Sequence, residues 1–171
     1  MYKTERSLVR QFVRQLRTAS CPWGPVEVSR EFDYRRGRAD VVVAAEDGEH
    51  LIAFEAKLEK WRDALHQAYR NTCFAHSSYV ILPRRVALRA QRYSADFSYR
   101  NVGLCYIDSG RIAIVLTPEK KAPLEPGLMY EALAAANSRS DSAHGRARTR
   151  SAQNLRQTRH AIRRARGRRN V

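Results

Sequence analysis

Short hydrophobic runs separated by charged residues predict a chain in which helices and strands alternate. Residues 4–18 carry apolar side chains at helical spacing, and Thr4 is suited to cap that helix. An alternating stretch at 26–32 predicts a strand, and so do two runs of strand-forming residues at 39–45 and 50–58. The first third of the chain is therefore predicted to fold as one helix followed by three strands.

The pattern continues with a helix at 59–75, a buried strand at 77–83 that ends at a proline, and a basic helix at 84–95. Two later runs, VGLCYID and RIAIVLT, bracket a Ser-Gly and predict a second hairpin, and 127–136 predicts a last short helix. The inner stripe of the 59–75 helix is predicted to be Trp61, Leu65, Ala68 and Thr72. Trp23 and Trp61 are interpreted as core residues rather than platforms for stacking bases. The pattern indicates an α/β fold.

Charge divides the chain into two predicted regions. The formal net charge is +15, and residues 137–171 contain eleven Arg but only one acidic residue, Asp141. We expect a folded domain at 1–136 and a basic tail at 137–171 that is disordered in isolation, because the tail has too few apolar residues to form a core. Such a tail indicates a polyanionic partner: nucleic acid first, an anionic membrane surface as the alternative. The tail residues predicted to contact nucleic acid are Arg148, Arg150, Arg156, Arg159, Arg163, Arg164, Arg166, Arg168 and Arg169.

The cysteines and the apolar runs bear on the compartment. Cys21, Cys73 and Cys105 are scattered and odd in number, which favours reduced thiols, a cytoplasmic setting and no zinc site. The first residues lack the apolar core of a signal peptide, and no apolar run approaches the roughly 20 residues that span a bilayer.

Three charged residues lie where the two central strands should pack. Asp47-Gly48 is a strong signal for a two-residue hairpin, and that turn would place Asp40 directly opposite Glu55. Alternation puts Lys57 on the same face as these two carboxylates. The opposite face would be a core face made of Val41, Val43, Ile52, Phe54, Ala56 and Leu58.

Opposed like charges are destabilising unless one is protonated, a cation neutralises them, or water covers them. A hard divalent ion suits such a pair, because Mg²⁺ binds carboxylate and carbonyl oxygens and keeps several waters. The simpler interpretation is a wet rim of the sheet on which Lys57 makes an ordinary ion pair. Glu5 is open to two interpretations as well: it lies on the apolar face of the first helix, yet a first-turn glutamate also suits the helix dipole.

The order Asp40, about fifteen residues, then Glu55-Ala56-Lys57 resembles the signature of the PD-(D/E)XK nuclease superfamily. The resemblance covers about residues 4–83. It implies a restriction-endonuclease-like αβββαβ core with a mixed sheet, to which the second hairpin would be an addition. Glu5 matches the first-helix glutamate of the Holliday-junction-resolvase-like branch, and Gln67 matches a glutamine that faces the site from the next helix. The chain departs from the motif at Ala39, where the family has proline.

This resemblance implies a metal-dependent endonuclease that hydrolyses phosphodiester bonds in DNA. Asp40 and Glu55, with the Ala56 carbonyl, would hold Mg²⁺ or Mn²⁺, and Lys57 would orient or activate the attacking water. Glu5 would support the water or a second metal, and Gln67 would position Lys57 or a phosphate. Three arginines just before Asp40 either bind phosphate near the site or form a solvated turn: Arg35, Arg36 and Arg38.

Two other functions fit the same residues. One is a nucleic-acid-binding module with the same fold and an idle site. The other is an assembly protein whose arginine tail packages RNA or binds an acidic partner. DNA is favoured over RNA as the partner, no membrane contact is expected, and cutting of branched DNA would favour a homodimer.

Overall fold

The computed structural model describes residues 2–34, 37–45 and 50–138. Several sequence predictions lie outside these residues: the Asp47-Gly48 turn, the phosphate contacts of Arg35 and Arg36, and the arginine-rich tail. The chain divides into two units, Met1–Arg139 and Ser140–Val171. All of the described helices and strands belong to the first unit.

Helices and strands alternate along this unit. They are α1 Glu5–Leu16, β1 Val26–Tyr34, β2 Gly37–Ala45, β3 Leu51–Ala56, α2 Trp61–Asn71, β4 Ser77–Ile81, α3 Arg84–Ala90, α4 Ser94–Tyr99, β5 Val102–Asp108, β6 Arg111–Leu116 and α5 Pro126–Ser138.

The strands form a mixed six-stranded sheet in the order β1-β2-β3-β4-β5-β6. β1, β2 and β3 pair antiparallel, β3, β4 and β5 pair parallel, and β6 returns antiparallel to β5 in the predicted second hairpin. The prediction of an α/β fold with a mixed sheet is confirmed. Because β3, β4 and β5 run the same way, the segments that follow them leave the sheet at one edge.

The register predicted for the central hairpin is confirmed. Val41 pairs with Phe54, Val42 with Ala53, Val43 with Ile52 and Ala44 with Leu51. Even-numbered residues of β2 and odd-numbered residues of β3 therefore share one face of the sheet. That face is the one on which Asp40 and Glu55 were expected.

Helix α1 covers the opposite face. Thr4 caps it as predicted: its side chain accepts a hydrogen bond from the Ser7 backbone N–H, and the Ser7 side chain bonds back to the Thr4 backbone. Leu8, Phe12 and Leu16 are buried on Val41, Val43, Ile52, Phe54 and Ala56 of the sheet. The partly buried Trp23 packs its ring edge-on, 5.1 Å from the Phe54 ring centroid.

The other helices cover the Asp40–Glu55 face, so both faces of the sheet are core. Trp61 of α2 is 5% exposed and stacks on the buried Phe97 of α4 with ring centroids 5.8 Å apart, which confirms Trp61 as a core residue. Phe74, after α2, packs with Val42 and Ala53 of the sheet. α5 also contacts β1 and β2.

Two predicted helices differ from those observed. The helix predicted over 84–95 is divided into α3, a 3₁₀ turn at Gln91–Tyr93 and α4, and Phe97 of α4 is buried in the core. The helix predicted over 59–75 stops at Asn71. The predicted inner residue Thr72 forms the cap, where its hydroxyl donates to the Tyr69 carbonyl, and Asn71 is buried in its place.

The last described helix, α5, passes the domain boundary predicted after residue 136 and ends at Ser138. Within the described residues, no helix is both long and apolar enough to cross a membrane.

Gly103 of β5 offers a direct test of this packing. A Cβ there would overlap the ring of the buried Tyr79 and lie 2.8 Å from Pro118 Cδ. We expect Gly103→Ala to lower the free energy of unfolding by about 1–3 kcal/mol or more, because a close-packed interior resists added volume. Urea denaturation measures the change.

Gly127→Ala is the matched control, because a Cβ at this helical position meets nothing within 4 Å. It should leave stability unchanged or raise it by up to about 1 kcal/mol. Equal stability of the two variants would contradict the described packing of β5 on β4.

Candidate active site

The carboxylate of Glu55 is buried beneath α2, and its side chain is 2% exposed. The Asn71 side-chain nitrogen donates to Glu55 Oε1 at 2.8 Å, and the Tyr34 hydroxyl donates to Asn71 Oδ1 at 2.6 Å. Asn71 is fully buried, and Tyr34 is partly buried. This chain of hydrogen bonds fixes the orientation of Glu55 from β1 and α2 together.

Burial raises the pKa of Glu55 from its ordinary value of 4.5 to about 8, and the negative charge of Asp40 adds to the rise. The hydrogen bond from Asn71 and the charges of Lys57 and Arg70 act in the opposite direction. Desolvation dominates because a buried carboxylate loses its hydration without gaining a full countercharge. At neutral pH and without a bound cation, Glu55 is therefore predominantly protonated.

Asp40 lies where β2 and β3 separate. Within the described residues, the paired stretch begins at Val41–Phe54 and so stops one pair before Asp40 and Glu55. Asp40 Oδ2 instead accepts the Ala56 N–H at 2.8 Å. The N–H and the carbonyl of one strand residue point to the same side, so the Ala56 carbonyl also faces β2.

The pKa of Asp40 is raised as well, chiefly by burial, and the nearby Glu5 charge raises it further. The Ala56 N–H, the charge of Lys57 and that of Arg38 lower it. Asp40 and Glu55 thus form a desolvated acidic pair, and each uses one carboxylate oxygen to accept a hydrogen bond from the protein.

Lys57 follows Ala56, the last residue of β3, and its backbone N–H still donates to the Ile81 carbonyl of β4. Its Nζ lies 3.2 Å from Glu5 Oε2, and the two side chains are 21% and 47% exposed. Lys57 still acts electrostatically on both Asp40 and Glu55, so the ion pair joins α1 to the acidic pair.

Solvent reaches Asp40 through a cleft of about 370 Å³. The cleft is lined by Glu5, Arg6, Val9, Arg30, Glu31 and Asp40. Glu31 falls opposite Asp40 in the β1–β2 register and has a left-handed backbone, with φ 58°. Strained backbone of this kind collects at functional sites, and nothing in the sequence pattern indicated it here.

Gln67 lies on the same face of α2 as Asn71, one turn earlier. Its Oε1 atom is buried and has no hydrogen-bond partner among the described residues. A buried oxygen without a hydrogen bond lowers stability by about 1–3 kcal/mol. A bound ligand that donates a hydrogen bond to this oxygen would offset that loss.

Of the three arginines predicted to bind phosphate just before Asp40, the structure describes Arg38. Its side chain is 58% exposed, and its Nε atom lies 4.0 Å from Asp33 Oδ1. Asn71, Tyr34 and Arg70 were not predicted as site residues from the sequence. The signal for Asn71 was its four-residue spacing from Gln67, which places both amides on one helix face.

The site's donors suit a hard divalent cation. Within the described residues, no cluster of three or more His, Cys, Asp or Glu side chains is placed to hold a metal. The candidate ligands are instead the two carboxylates of Asp40 and Glu55 and the backbone carbonyl of Ala56, a combination of oxygens that Mg²⁺ accepts alongside water. A cation there would also relieve the repulsion within the acidic pair.

Comparison with known proteins bears on the fold. No protein-family model matches the chain, and no curated protein is similar in sequence. A solved structure, that of a protein of unknown function from Silicibacter pomeroyi, aligns with a TM-score of 0.59 at 15% identity. The alignment covers 83% of this chain and 89% of that one. The two proteins therefore share a mixed α/β fold.

The pKa of Glu55 makes the stability of the metal-free protein depend on pH. Between pH 4.5 and about 8, the folded chain keeps a proton that the unfolded chain has lost. The unfolded state binds fewer protons, so the free energy of unfolding should fall as pH rises, by at most about 1.4 kcal/mol per unit for one proton. Glu55→Gln keeps the bond from Asn71 but cannot ionise, so it should flatten this dependence.

The measurement is urea denaturation from pH 5 to 8 in EDTA. The control is Glu119→Gln, whose carboxylate is 81% exposed and which should retain the wild-type slope. If Glu55→Gln and the wild type lose stability in parallel, Glu55 does not carry the raised pKa.

Proposed function

We propose that this protein is a metal-dependent endonuclease of the restriction-endonuclease-like fold that hydrolyses phosphodiester bonds in DNA. The observation that carries the proposal is the desolvated pair Asp40–Glu55 with the ammonium of Lys57 in electrostatic range. Burying two carboxylates together costs stability. A site that binds a cation for catalysis explains why the protein carries that cost. A solvated rim of the sheet would keep both carboxylates hydrated, so it would not explain their desolvation.

Asp40 and Glu55, with the Ala56 carbonyl, would hold Mg²⁺ or Mn²⁺. A bound Mg²⁺ lowers the pKa of its water and stabilises charge on a phosphoryl oxygen. Glu55 must lose its proton to act as a ligand, and its hydrogen bond from Asn71 keeps Oε1 in place meanwhile. The other oxygen of each carboxylate is left for the cation.

Lys57 would supply positive charge where negative charge develops as water attacks phosphorus and the bond to the leaving oxygen breaks. Its partial burial strengthens this effect, since the Lys57 side chain is only 21% exposed. Glu5 holds the ammonium from α1 and would accept a hydrogen bond from the attacking water. Gln67, with its unpaired Oε1, would position Lys57 or a phosphate from α2.

The substrate backbone would enter along the open cleft beside Asp40. Arg6 and Arg30 line that cleft, and Arg38 lies within electrostatic range of Asp40. Arginine binds phosphate with paired hydrogen bonds, so these side chains would orient the strand. The arginine-rich segment beyond residue 137 would add affinity without sequence preference through counterion release.

Asp40→Asn tests the metal site through a crossover in stability. In EDTA the variant should be at least as stable as the wild type, because it replaces a desolvated carboxylate with a neutral amide whose oxygen can still accept the Ala56 N–H. With Mg²⁺ or Mn²⁺ the wild type should gain stability as ligand concentration rises, and the variant should gain little. Thermal melts across a metal titration measure both effects.

Asp33→Asn is the control, because Asp33 is 81% exposed and its register partner is Arg38 rather than a residue of the acidic pair. It should respond to metal as the wild type does. A metal response that is the same in Asp40→Asn and the wild type would place the cation elsewhere.

Lys57→Ala tests catalysis separately from binding. The variant should bind a DNA duplex nearly as tightly as the wild type but cleave plasmid DNA more slowly by about two or more orders of magnitude, the usual effect of losing transition-state charge stabilisation. Single-turnover cleavage at saturating protein measures this step. Lys60→Ala, which removes an exposed lysine nearby, should cleave at the wild-type rate.

A wild-type rate for Lys57→Ala would overturn the role given to Lys57. A wild-type protein that binds metal and DNA but cuts no plasmid, linear, branched or RNA substrate would instead be an idle binding module of this fold.

A further inference from the structure

A second group of cations lies at the sheet edge where β3 and β4 end. These strands are parallel, so the loop after β3 and helix α3 after β4 leave the sheet side by side. Between them lies a cleft of about 560 Å³ lined by the loop, the first turn of α2, Arg89 and Tyr93. Ligands of open α/β sheets bind at the carboxyl ends of parallel strands.

Two arginines of α3 share the carboxylate of Glu59, which lines this cleft. Arg85 Nη2 lies 3.5 Å from Glu59 Oε1, and Arg89 Nη2 lies 3.3 Å from Glu59 Oε2. The three side chains are 80%, 53% and 56% exposed, and exposed pairs of this kind contribute only about 0–1 kcal/mol to stability. The cluster keeps a surplus positive charge that folding does not require.

A third arginine is held in place by aromatic rings. The Arg62 guanidinium carbon lies 4.3 Å from the Trp61 ring centroid and 4.9 Å from that of Tyr93. Trp61 is 5% exposed and therefore fixed in the core. A guanidinium stacked on a ring keeps its in-plane N–H groups available for hydrogen bonds to an anion.

We propose that Arg62, Arg85 and Arg89 bind backbone phosphates of duplex DNA beside the scissile bond, and that Glu59 occupies a phosphate position in the free protein. The inference rests on the proposed function, because it takes DNA as the substrate. A carboxylate and a phosphate both accept paired hydrogen bonds from arginine, so an anion that already binds two guanidinium groups marks where a phosphate fits.

The distance to the candidate active site agrees with this role. Lys57 and Glu59 are two residues apart, so their Cα atoms are separated by at most about 7 Å. Successive phosphates of one strand rise about 3.4 Å along the duplex axis. A strand whose scissile phosphate lies at Lys57 would place phosphates only a few nucleotides away over the arginine cluster.

The test is the salt dependence of DNA binding by the full chain, measured with a fluorescent duplex in EDTA so that no cutting occurs. Each lost phosphate contact reduces the slope of log affinity against log salt by about 0.9. Arg85→Ala/Arg89→Ala should therefore reduce the slope by about 1.8. Both side chains are more than half exposed, so urea denaturation should find the variant folded.

Arg100→Ala/Lys121→Ala is the matched control. It removes two cations at the opposite edge, because Arg100 precedes β5 and the Lys121 backbone bonds to His76 just before β4. Its slope should stay close to the wild-type value. If both double variants have the same slope, the inference is overturned.

Glu59→Gln tests the same site in the opposite direction. Freeing Arg85 and Arg89 from their carboxylate should tighten duplex binding. The matched change is Glu119→Gln, which frees Lys121 from its 3.4 Å ion pair at the far edge. Greater tightening in Glu59→Gln supports the inference, and equal or weaker binding overturns it.

The failure of this inference is distinguishable from the failure of the proposed function. A wild type that cuts DNA while the α3 arginines leave its slope unchanged would retain the function and lose the inference. A slope that depends on Arg85 and Arg89 in a protein that cuts nothing would retain the inference and overturn the nuclease. Absence of duplex binding would overturn the inference.

Discussion

The desolvated carboxylate of Glu55 is the constraint around which the centre of this domain is arranged. Its side chain is 2% exposed, so the protein must supply the stabilisation that water would otherwise give. α2 supplies the Asn71 hydrogen bond, and Lys57 supplies a positive charge from the strand end. The negative charge of Asp40 has the opposite effect, because it destabilises the ionised form of Glu55. Without a cation, Glu55 consequently favours its protonated form at neutral pH.

The sheet opens at the same point. β2 and β3 pair as far as Val41–Phe54, and the next backbone donor, the Ala56 N–H, goes to the Asp40 side chain. This substitution satisfies a buried donor that would otherwise cost about 1–3 kcal/mol, and it leaves room between the strands. The left-handed backbone of Glu31 on the next strand lies opposite the same residue. The end of the β2–β3 pairing and the strained backbone of Glu31 thus lie at the same place, where Asp40 faces the cleft.

The sequence predicted residues whose positions follow from strand periodicity or turn length. It did not predict residues whose positions depend on tertiary packing. The two-residue period of strands and the register imposed by a two-residue turn placed Asp40 and Glu55 on one face, and the structure has that register. The ion pair between Lys57 and Glu5 depends on where α1 packs, and strand periodicity carries no information about that. Asn71 was missed because the helix was predicted to turn Thr72 inward, and only packing against β3 decides which residue is buried. The left-handed backbone of Glu31 has no marker in its residue type.

The contrast between a buried acidic centre and a basic rim follows from the topology. The parallel strands β3, β4 and β5 bring the loop after Glu55, helix α3 and the end of β5 to one edge, so cations from distant parts of the sequence gather beside the carboxylates. In a low dielectric, two ionised carboxylates would repel a phosphate at this edge. One proton would cancel half of that charge, whereas a divalent cation would cancel all of it. The acidic pair would therefore oppose an anion when ionised and empty, and a bound cation would remove that opposition.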